Sequence, residues 1–366
     1  MAAVIQSSGP DSRVTLLVPT MNRSEFVIRM LQYYARLNFT GRIAIGDSSN
    51  REHVEKTRRA IAELSGELDV AYEEYPRAGI GVCLLKLLDH VVTPYAATLP
   101  DDDFLVPASL DKCVVFLSEH PEYAAAHGVG IGVDLDSQGR HGRVTRCRYY
   151  AQPVIEANNA ADRLTAHLEN YRVSMFSVHR LDTWRQMLRD VPLQEDASFS
   201  AEVLPCCHSA VAGKIKQLDC LYVVRQNHIL RYELPDAFDW LTTPQWLPSY
   251  NVFVKSISAA IAEADHTSEE AARLVVKHAF KQFLVLSLGV RRRWSGSPWT
   301  LAVARRAKRW LKTLTPKEHS QFELNNLLDP ASPYHADFMP IYQMLIAADG
   351  GETAAAAPAL SQETRA

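Results

Sequence analysis

The sequence predicts an α/β fold: a mostly parallel sheet flanked by helices, followed by a C-terminal α-helical extension. Three observations predict it. Short β-branched and leucine-rich runs alternate with amphipathic helical patterns through the first hundred residues. Alternation of this kind implies βαβ crossovers and a parallel sheet. Polar and acidic residues gather where those runs end, and strand patterns stop after Asp236, where long helical patterns take over.

The elements follow in order. Val14 to Val18 reads as a buried strand that stops at Pro19. Ser24 is the expected N-cap of a helix with Phe26, Met30, Leu31 and Tyr34 on one face. Ile43 to Ile45 is a second strand, Glu52 to Leu64 a second helix and Val70 to Tyr75 a third strand. Gly79 to Val92 is a third helix, and Tyr95 to Leu99 a fourth strand. Farther on come a helix over Ala108 to His120, a strand over Ala124 to Asp134, a strand over Tyr171 to His179 and a helix over Leu181 to Leu188. A helix over Ser198 to Gly213 stops at its glycine, and a last strand runs from Leu218 to Arg225. Val252 to Ala264 and Glu269 to Leu288 are long helices. At roughly 150 residues per domain, a chain of this length allows two. We expect a short extension over 1–12, a nucleotide-binding and catalytic domain over 13–235, a helical domain over 236–348 and a disordered tail over 349–366.

Composition excludes several classes. The chain has 366 residues, 39 basic and 42 acidic, with a net charge of −3, so no global positive field draws nucleic acid. Its six cysteines form no CxxC pair, which argues against a zinc framework or a disulfide scaffold. A reducing cytoplasm is the expected setting. The apolar run Phe283 to Val290 is far short of the ~20 residues a membrane helix needs. The chain has no GxxxxGK[ST] loop, no GxGxxG after its first strand and no HExxH. This counts against P-loop, dinucleotide and zinc-protease chemistry.

In an open α/β sheet the ligand lies outside the carboxyl ends of the strands. Those ends are Pro19-Thr20-Met21-Asn22-Arg23, Asp47-Ser48-Ser49, Tyr75-Pro76-Arg77 and Asp101-Asp102-Asp103. Three adjacent carboxylates repel one another, and a divalent cation relieves that repulsion. In an extended segment Asp101 and Asp103 share one side and Asp102 turns away. A solvated turn or helix cap before Pro107 is the structural alternative.

These blocks resemble the GT-A glycosyltransferases of family 2. Pro19 to Arg23 resembles that family's P-x-x-N-R turn, Ile45 to Ser49 its second strand with a terminal acid, and Thr98 to Asp103 its D-x-D segment. The resemblance covers about residues 13 to 225. It implies a metal-dependent transfer of sugar from a nucleotide-diphosphate donor to a hydroxyl of a glycan or lipid-linked acceptor. It assigns Pro19, Thr20, Asn22, Arg23, Asp47, Asp101 and Asp102 to the nucleotide; Arg225 suits phosphate charge, and Arg77 is either a phosphate contact or a simple surface arginine. It assigns Asp101, Asp103 and a late His228 to Mn²⁺ or Mg²⁺. One departure stands out: Tyr75 to Gly81 lacks the family's asparagine.

Inverting transfer needs a base for the acceptor hydroxyl. Leu193 to Ala197 resembles the family's Glu-Asp segment. Asp196 is the first candidate, Glu195 the next and Glu202 the third, with a helix cap as the structural reading of the acids before Ser198. A nucleotidyltransferase and a catalytically inactive scaffold on the same fold stay open as alternatives. Finally, residues 291–312 carry eight Arg or Lys and no acid. They form either a solvated helix face or a peripheral contact with anionic lipid, on the inner face of the membrane.

Overall fold

The computed structural model describes residues 13–229, 234–292 and 319–347. The short extension, most of the basic segment 291–312 and the alanine-rich tail lie outside the described residues. The fold is mixed α/β, with a nine-stranded sheet in the order β3-β2-β1-β4-β8-β6-β9-β5 and β7 paired to β6.

The amino-terminal half runs β1 (Val14–Thr20), α1 (Ser24–Arg36), β2 (Arg42–Asp47), α2 (Arg51–Glu63), β3 (Asp69–Glu74), α3 (Ile80–Leu87) and β4 (Tyr95–Thr98). All pairings among β1 to β4 are parallel. β1 is buried on both faces, as a central parallel strand must be. Val14, Leu16 and Val18 point into one core and Leu17 into the other. Ser24 is not the N-cap of α1. Arg23 takes that position without a side-chain cap, and the Ser24 hydroxyl pairs with His53 Nδ1 at 2.8 Å.

The second half comprises β5 (Phe104–Leu105), α4 (Pro107–Glu119), β6 (Tyr123–Leu135), β7 (Val144–Tyr150), α5 (Ala160–Glu169), β8 (Val178–Arg180) and α6 (Leu181–Leu188). A π-helical turn (Phe199–Val203), α7 (Leu204–Ala212) and β9 (Lys214–Asn227) complete it. The strand expected over Tyr171 to His179 shrinks to β8, because its first residues run as irregular chain between α5 and the sheet. β7 and α5 fall between the strands expected over Ala124 to Asp134 and Tyr171 to His179, where no element was expected. β8 is antiparallel to both β4 and β6, and β6 is parallel to β9. Two reversals restore the direction, so β9 ends at the same edge of the sheet as β1, β2 and β4.

Beyond 235 lie α8 (Ala237–Leu241), α9 (Trp246–Ala264), α10 (Glu269–Arg292), α11 (Leu324–Leu328) and α12 (His335–Ile346). Phe253, Ile257, Val276 and Phe280 join the core that also holds Leu84, Trp184 and Phe199. Phe338, Ile341 and Leu345 join the opposite core with α1 and α4. The described helices after 235 therefore pack on both faces of the sheet. No described helix is long and apolar enough to cross a membrane. All six cysteines are buried free thiols.

One close approach ties α3 to the π turn. A Cβ on Gly81 would lie 2.3 Å from the Ser200 carbonyl oxygen and 2.7 Å from its carbon. Backbone cannot yield as a side-chain end can, so Gly81→Ala should cost about 1–3 kcal/mol of unfolding free energy. A urea midpoint equal to wild type would show that the turn shifts without penalty.

Candidate active site

The turn after β4 is the centre of the site. Asp101, Asp102 and Asp103 are 3%, 2% and 1% exposed. Buried carboxylates persist only when paired or hydrogen-bonded. The Asp103 amide donates to the Pro100 carbonyl at 3.1 Å, which closes a turn. The expected alternation therefore fails, since it holds only for extended chain. Asp101 and Asp103 do not share a ligand region. Asp101 and Asp102 share Arg23 instead, whose Nη1 lies 3.0 Å from one and 3.1 Å from the other. Thr20 Oγ1 donates to Asp101 Oδ2 at 2.7 Å.

Asp103 turns the other way. β5 pairs with β9 so that Phe104 faces Val224. This brings Arg225 Nε to 2.6 Å from Asp103 Oδ2 and the Gln226 amide to 3.0 Å from Oδ1. The guanidinium of Arg225 also lies over the rings of Phe176 and Tyr150 and donates to the Tyr150 hydroxyl at 2.9 Å. Burial alone would lower the Arg225 pKa, but the Asp103 carboxylate outweighs it and the pKa is raised.

The three carboxylates differ in proton affinity. Burial, then the charge of Asp102, pushes Asp101 up to about 6. Burial pushes Asp103 up to about 7 despite Arg225. Burial also acts against ionised Asp102, but the hydrogen bond from His228 and the charge of Arg23 outweigh it and hold Asp102 below the usual carboxylate range. His228 Nε2 is 2.7 Å from Asp102 Oδ2, and its ring stacks on Phe26 at 5.1 Å.

A metal is tested by this donor set. Asp102 and His228 put one oxygen and one nitrogen ligand side by side at the strand edge. No three His, Cys, Asp or Glu side chains converge as a ready metal site among the described residues. Asp102 Oδ2 already meets Arg23 Nη1 and His228 Nε2, so a magnesium- or manganese-type ion held by this pair would displace those contacts and draw its other ligands from water and substrate phosphate. Asp101 and Asp103 do not fit such a role as they stand, because Thr20 with Arg23 and Arg225 with Gln226 occupy their oxygens.

Arg29 was missed by the sequence reading. It is buried on the apolar face of α1, over the rings of Phe26 and Phe104. Its Nη2 donates to the Asp102 carbonyl at 2.8 Å and its Nη1 to Gln226 Oε1 at 2.6 Å and to the Arg140 carbonyl. Burial lowers its pKa to about 10, against the pull of the three aspartates, so it stays charged near neutrality. The available signal was its helical spacing from Phe26.

The remaining nucleotide candidates serve the loops. Asp47 is buried, accepting from the Ser49 amide and the Tyr72 hydroxyl, both at 2.8 Å. Asn22 adopts φ 57°, and its side-chain oxygen accepts from the Asn50 amide at 2.9 Å. That contact clips the ends of β1 and β2 together. Pro19 sits in register with Gly46. Arg77 is exposed at φ 63° between β3 and α3.

The base candidates separate. Asp196 Oδ1 accepts from the amides of Ser198 and Phe199 at 2.8 and 3.0 Å. Its Oδ2 accepts from Trp240 Nε1 at 3.0 Å, and its own amide donates to Ser249 Oγ at 2.8 Å. Asp196 thus caps the π turn and pins Trp240, and both its oxygens are taken, which corrects its ranking as first base. Glu195 is exposed, its amide also donating to Ser249 Oγ. Glu202 lies on the π turn, a feature found frequently at functional sites. Its Oε1 accepts from the Tyr171 hydroxyl at 3.0 Å, burial raises its pKa, and the charge of Arg225 acts on it in the opposite sense.

The sequence matches no protein-family model and no curated protein. The structure is similar to S. aureus TarS, with a TM-score of 0.42 and 12% identity over 75% of this chain and 55% of that one. The chain therefore spans little more than half the length of full TarS. It is also similar to TarS 1-349 in complex with UDP-GlcNAc, with a TM-score of 0.41 and 11% identity over 76% of this chain and 92% of that one. A third similar structure is the mannosyltransferase PcManGT from Pyrobaculum calidifontis in complex with GDP-Man and Mn2+. There the TM-score is 0.40 and the identity 13%, over 91% of this chain and 85% of that one. Likeness at this level decides nothing about chemistry, which rests on the residues above.

The Asp196 geometry makes a prediction of its own. Asparagine retains one acceptor for the turn but presents an N–H to Trp240 Nε1. Asp196→Asn should lower stability by about 1–3 kcal/mol, the cost of an unmade buried hydrogen bond, as read by urea unfolding. An unchanged midpoint would mean that the Trp240 contact contributes nothing.

Proposed function

We propose that this chain is a glycosyltransferase of the GT-A type. It would move a sugar from a nucleotide-diphosphate donor to a hydroxyl group, with inversion and with Glu202 as general base. The supporting observation is the buried acidic turn at the carboxyl edge of parallel strands, held by Arg23 and Arg225 and set beside the Asp102–His228 pair. Such an edge is where α/β sheets take nucleotides. Arginines suit a diphosphate because their planar forks match phosphate oxygens.

The donor diphosphate enters this edge and takes hydrogen bonds from Arg23 and Arg225. Asp102 and His228 would hold a divalent cation there, which when bound supplies Lewis-acid stabilisation of diphosphate charge. The acceptor hydroxyl attacks the anomeric carbon as the bond from that carbon to the diphosphate oxygen breaks. Glu202 takes the hydroxyl proton. Its raised pKa suits it to that task, because a base works best with a pKa near the working pH. Arg23 and Arg225 balance the charge that builds on the leaving nucleoside diphosphate.

Two measurements test this reading. Glu202→Gln should cut transfer roughly 10²- to 10⁴-fold, while calorimetry shows nucleoside-diphosphate binding unchanged. Transfer near the wild-type rate would remove Glu202 from the role. Asp102→Ala should abolish the part of UDP or GDP binding that depends on Mn²⁺ and responds to EDTA. Equal Mn²⁺ dependence in both proteins would remove the metal from this turn.

A further inference from the structure

We propose that Phe176 and Tyr150 are positioning residues for the donor diphosphate: they hold the plane of the Arg225 guanidinium so that its outer edge meets a phosphate oxygen. The inference rests on the transferase reading above and deepens it, because it names what fixes one of that reading's phosphate contacts.

Arg225 is held by two rings and two hydrogen bonds. Its Cζ lies 4.4 Å from the ring centroid of Phe176 and 4.9 Å from that of Tyr150. Nε donates to Asp103 Oδ2 at 2.6 Å and Nη1 to the Tyr150 hydroxyl at 2.9 Å. Neither bond uses Nη2, which bonds no other group among the described residues. Nor is Nη2 among the buried polar atoms left without a partner, and the side chain is 16% exposed. A guanidinium presents its N–H donors in a rigid planar fork. With Nε and Nη1 engaged, the open part of that fork is the Nη2 edge, beside the carboxylate of the acidic turn.

Phe176 owes its place to the irregular chain before β8. The Thr98 amide, at the end of β4, donates to the Met175 carbonyl at 3.4 Å. The Tyr222 hydroxyl, from β9, donates to the Phe176 carbonyl at 2.6 Å. These two bonds fasten residues 175 and 176 to the strands that carry the acidic turn and Arg225. Met175 turns into the apolar core. Phe176 is half-buried and belongs to none of the apolar cores. Its ring faces the guanidinium instead. Tyr150, the last residue of β7, is also half-buried, and its hydroxyl accepts from the same guanidinium. Aromatic faces attract a guanidinium and suit its flat, weakly hydrated plane. An arginine on a free stem loses rotamer freedom when it binds phosphate. Here that freedom is lost before a ligand arrives, which lowers the ordering cost of binding.

The test uses the full chain in calorimetric titrations with inorganic pyrophosphate, UDP and GDP, each with Mn²⁺ present. Phe176→Leu keeps an apolar side chain and removes the ring face, and should weaken binding about tenfold for every probe that the wild type binds. Phe176→Tyr keeps the ring and should bind as the wild type does. Arg225→Ala should bind weakly, and added methylguanidinium should restore binding by filling the slot between Phe176, Tyr150 and Asp103. That restoration should fail when Phe176→Leu is combined with Arg225→Ala. A merely structural loss would not respond to an added cation. Should Arg225→Ala fail to fold, the two Phe176 variants decide alone. Wild-type affinity in Phe176→Leu, equal weakening in Phe176→Tyr, or restoration that survives in the double variant overturns the proposal and leaves the transferase reading standing. Ring-dependent binding of pyrophosphate without binding of UDP or GDP supports the positioning role and sinks the transferase reading. Absence of binding to all three probes in the wild type overturns both.

Discussion

Burying three consecutive carboxylates is the constraint around which the carboxyl edge is built. An unpaired buried carboxylate costs several kcal/mol, and breaking one buried pair typically costs about 3–5 kcal/mol. Each of the three therefore has its own counter-charge or donor: Arg23 and Thr20 for Asp101, Arg23 and His228 for Asp102, Arg225 and the Gln226 amide for Asp103. Arg29 holds the turn's backbone from beneath. These partners come from two widely separated stretches of chain, 20–29 and 225–228. Their convergence requires that β9 end at the same edge as β1 and β4, which the two antiparallel pairings of β8 provide. The short β8 is thus a condition of the site, although it contributes no side chain to it.

Such a cluster balances charge without a ligand, yet its balance is exchangeable. Arg23 and Arg225 bond carboxylates now and can bond phosphate in the same way, since both are planar oxyanions. Under the proposed transferase reading, a diphosphate that took those arginine hydrogen bonds would leave the three carboxylates with excess negative charge, which a divalent cation would offset.

The alternating elements of the first hundred residues were legible because parallel strands and their helices carry strong periods. So were the acidic turn and the late His228, as positions worth reading. The pairing within the turn was not legible. The extended-chain rule joined Asp101 to Asp103, whereas a single backbone hydrogen bond from Asp103 to Pro100 turns them apart. Arg29 was hidden because burial of an arginine depends on partners far along the chain, at Asp102, Arg140 and Gln226. Asp196 shows the opposite error. An acid before a helix is a cap far more often than a base, and here it caps. The strand over Tyr171 to His179 failed for a related reason: an apolar run in irregular chain packs as well as one in a sheet.

The π turn resolves what the acids before it do not. Phe199 and Val203 are fully buried in the core beneath α9 and α10, where Phe199 meets Trp240, Phe253 and Phe280. Glu202, adjacent to Val203, reaches the Tyr171 hydroxyl. Gly81 lets α3 press against the backbone of Ser200. The turn is held from one side by that contact, from another by the Asp196 cap and from below by the aromatic cluster. A carboxylate carried on a segment so confined keeps one orientation without ligand. Its raised pKa then follows from position alone, because burial acts on it whether or not the site is filled. The helices after residue 235 therefore bear on Glu202 through packing: by closing over Phe199 they hold the turn that carries it.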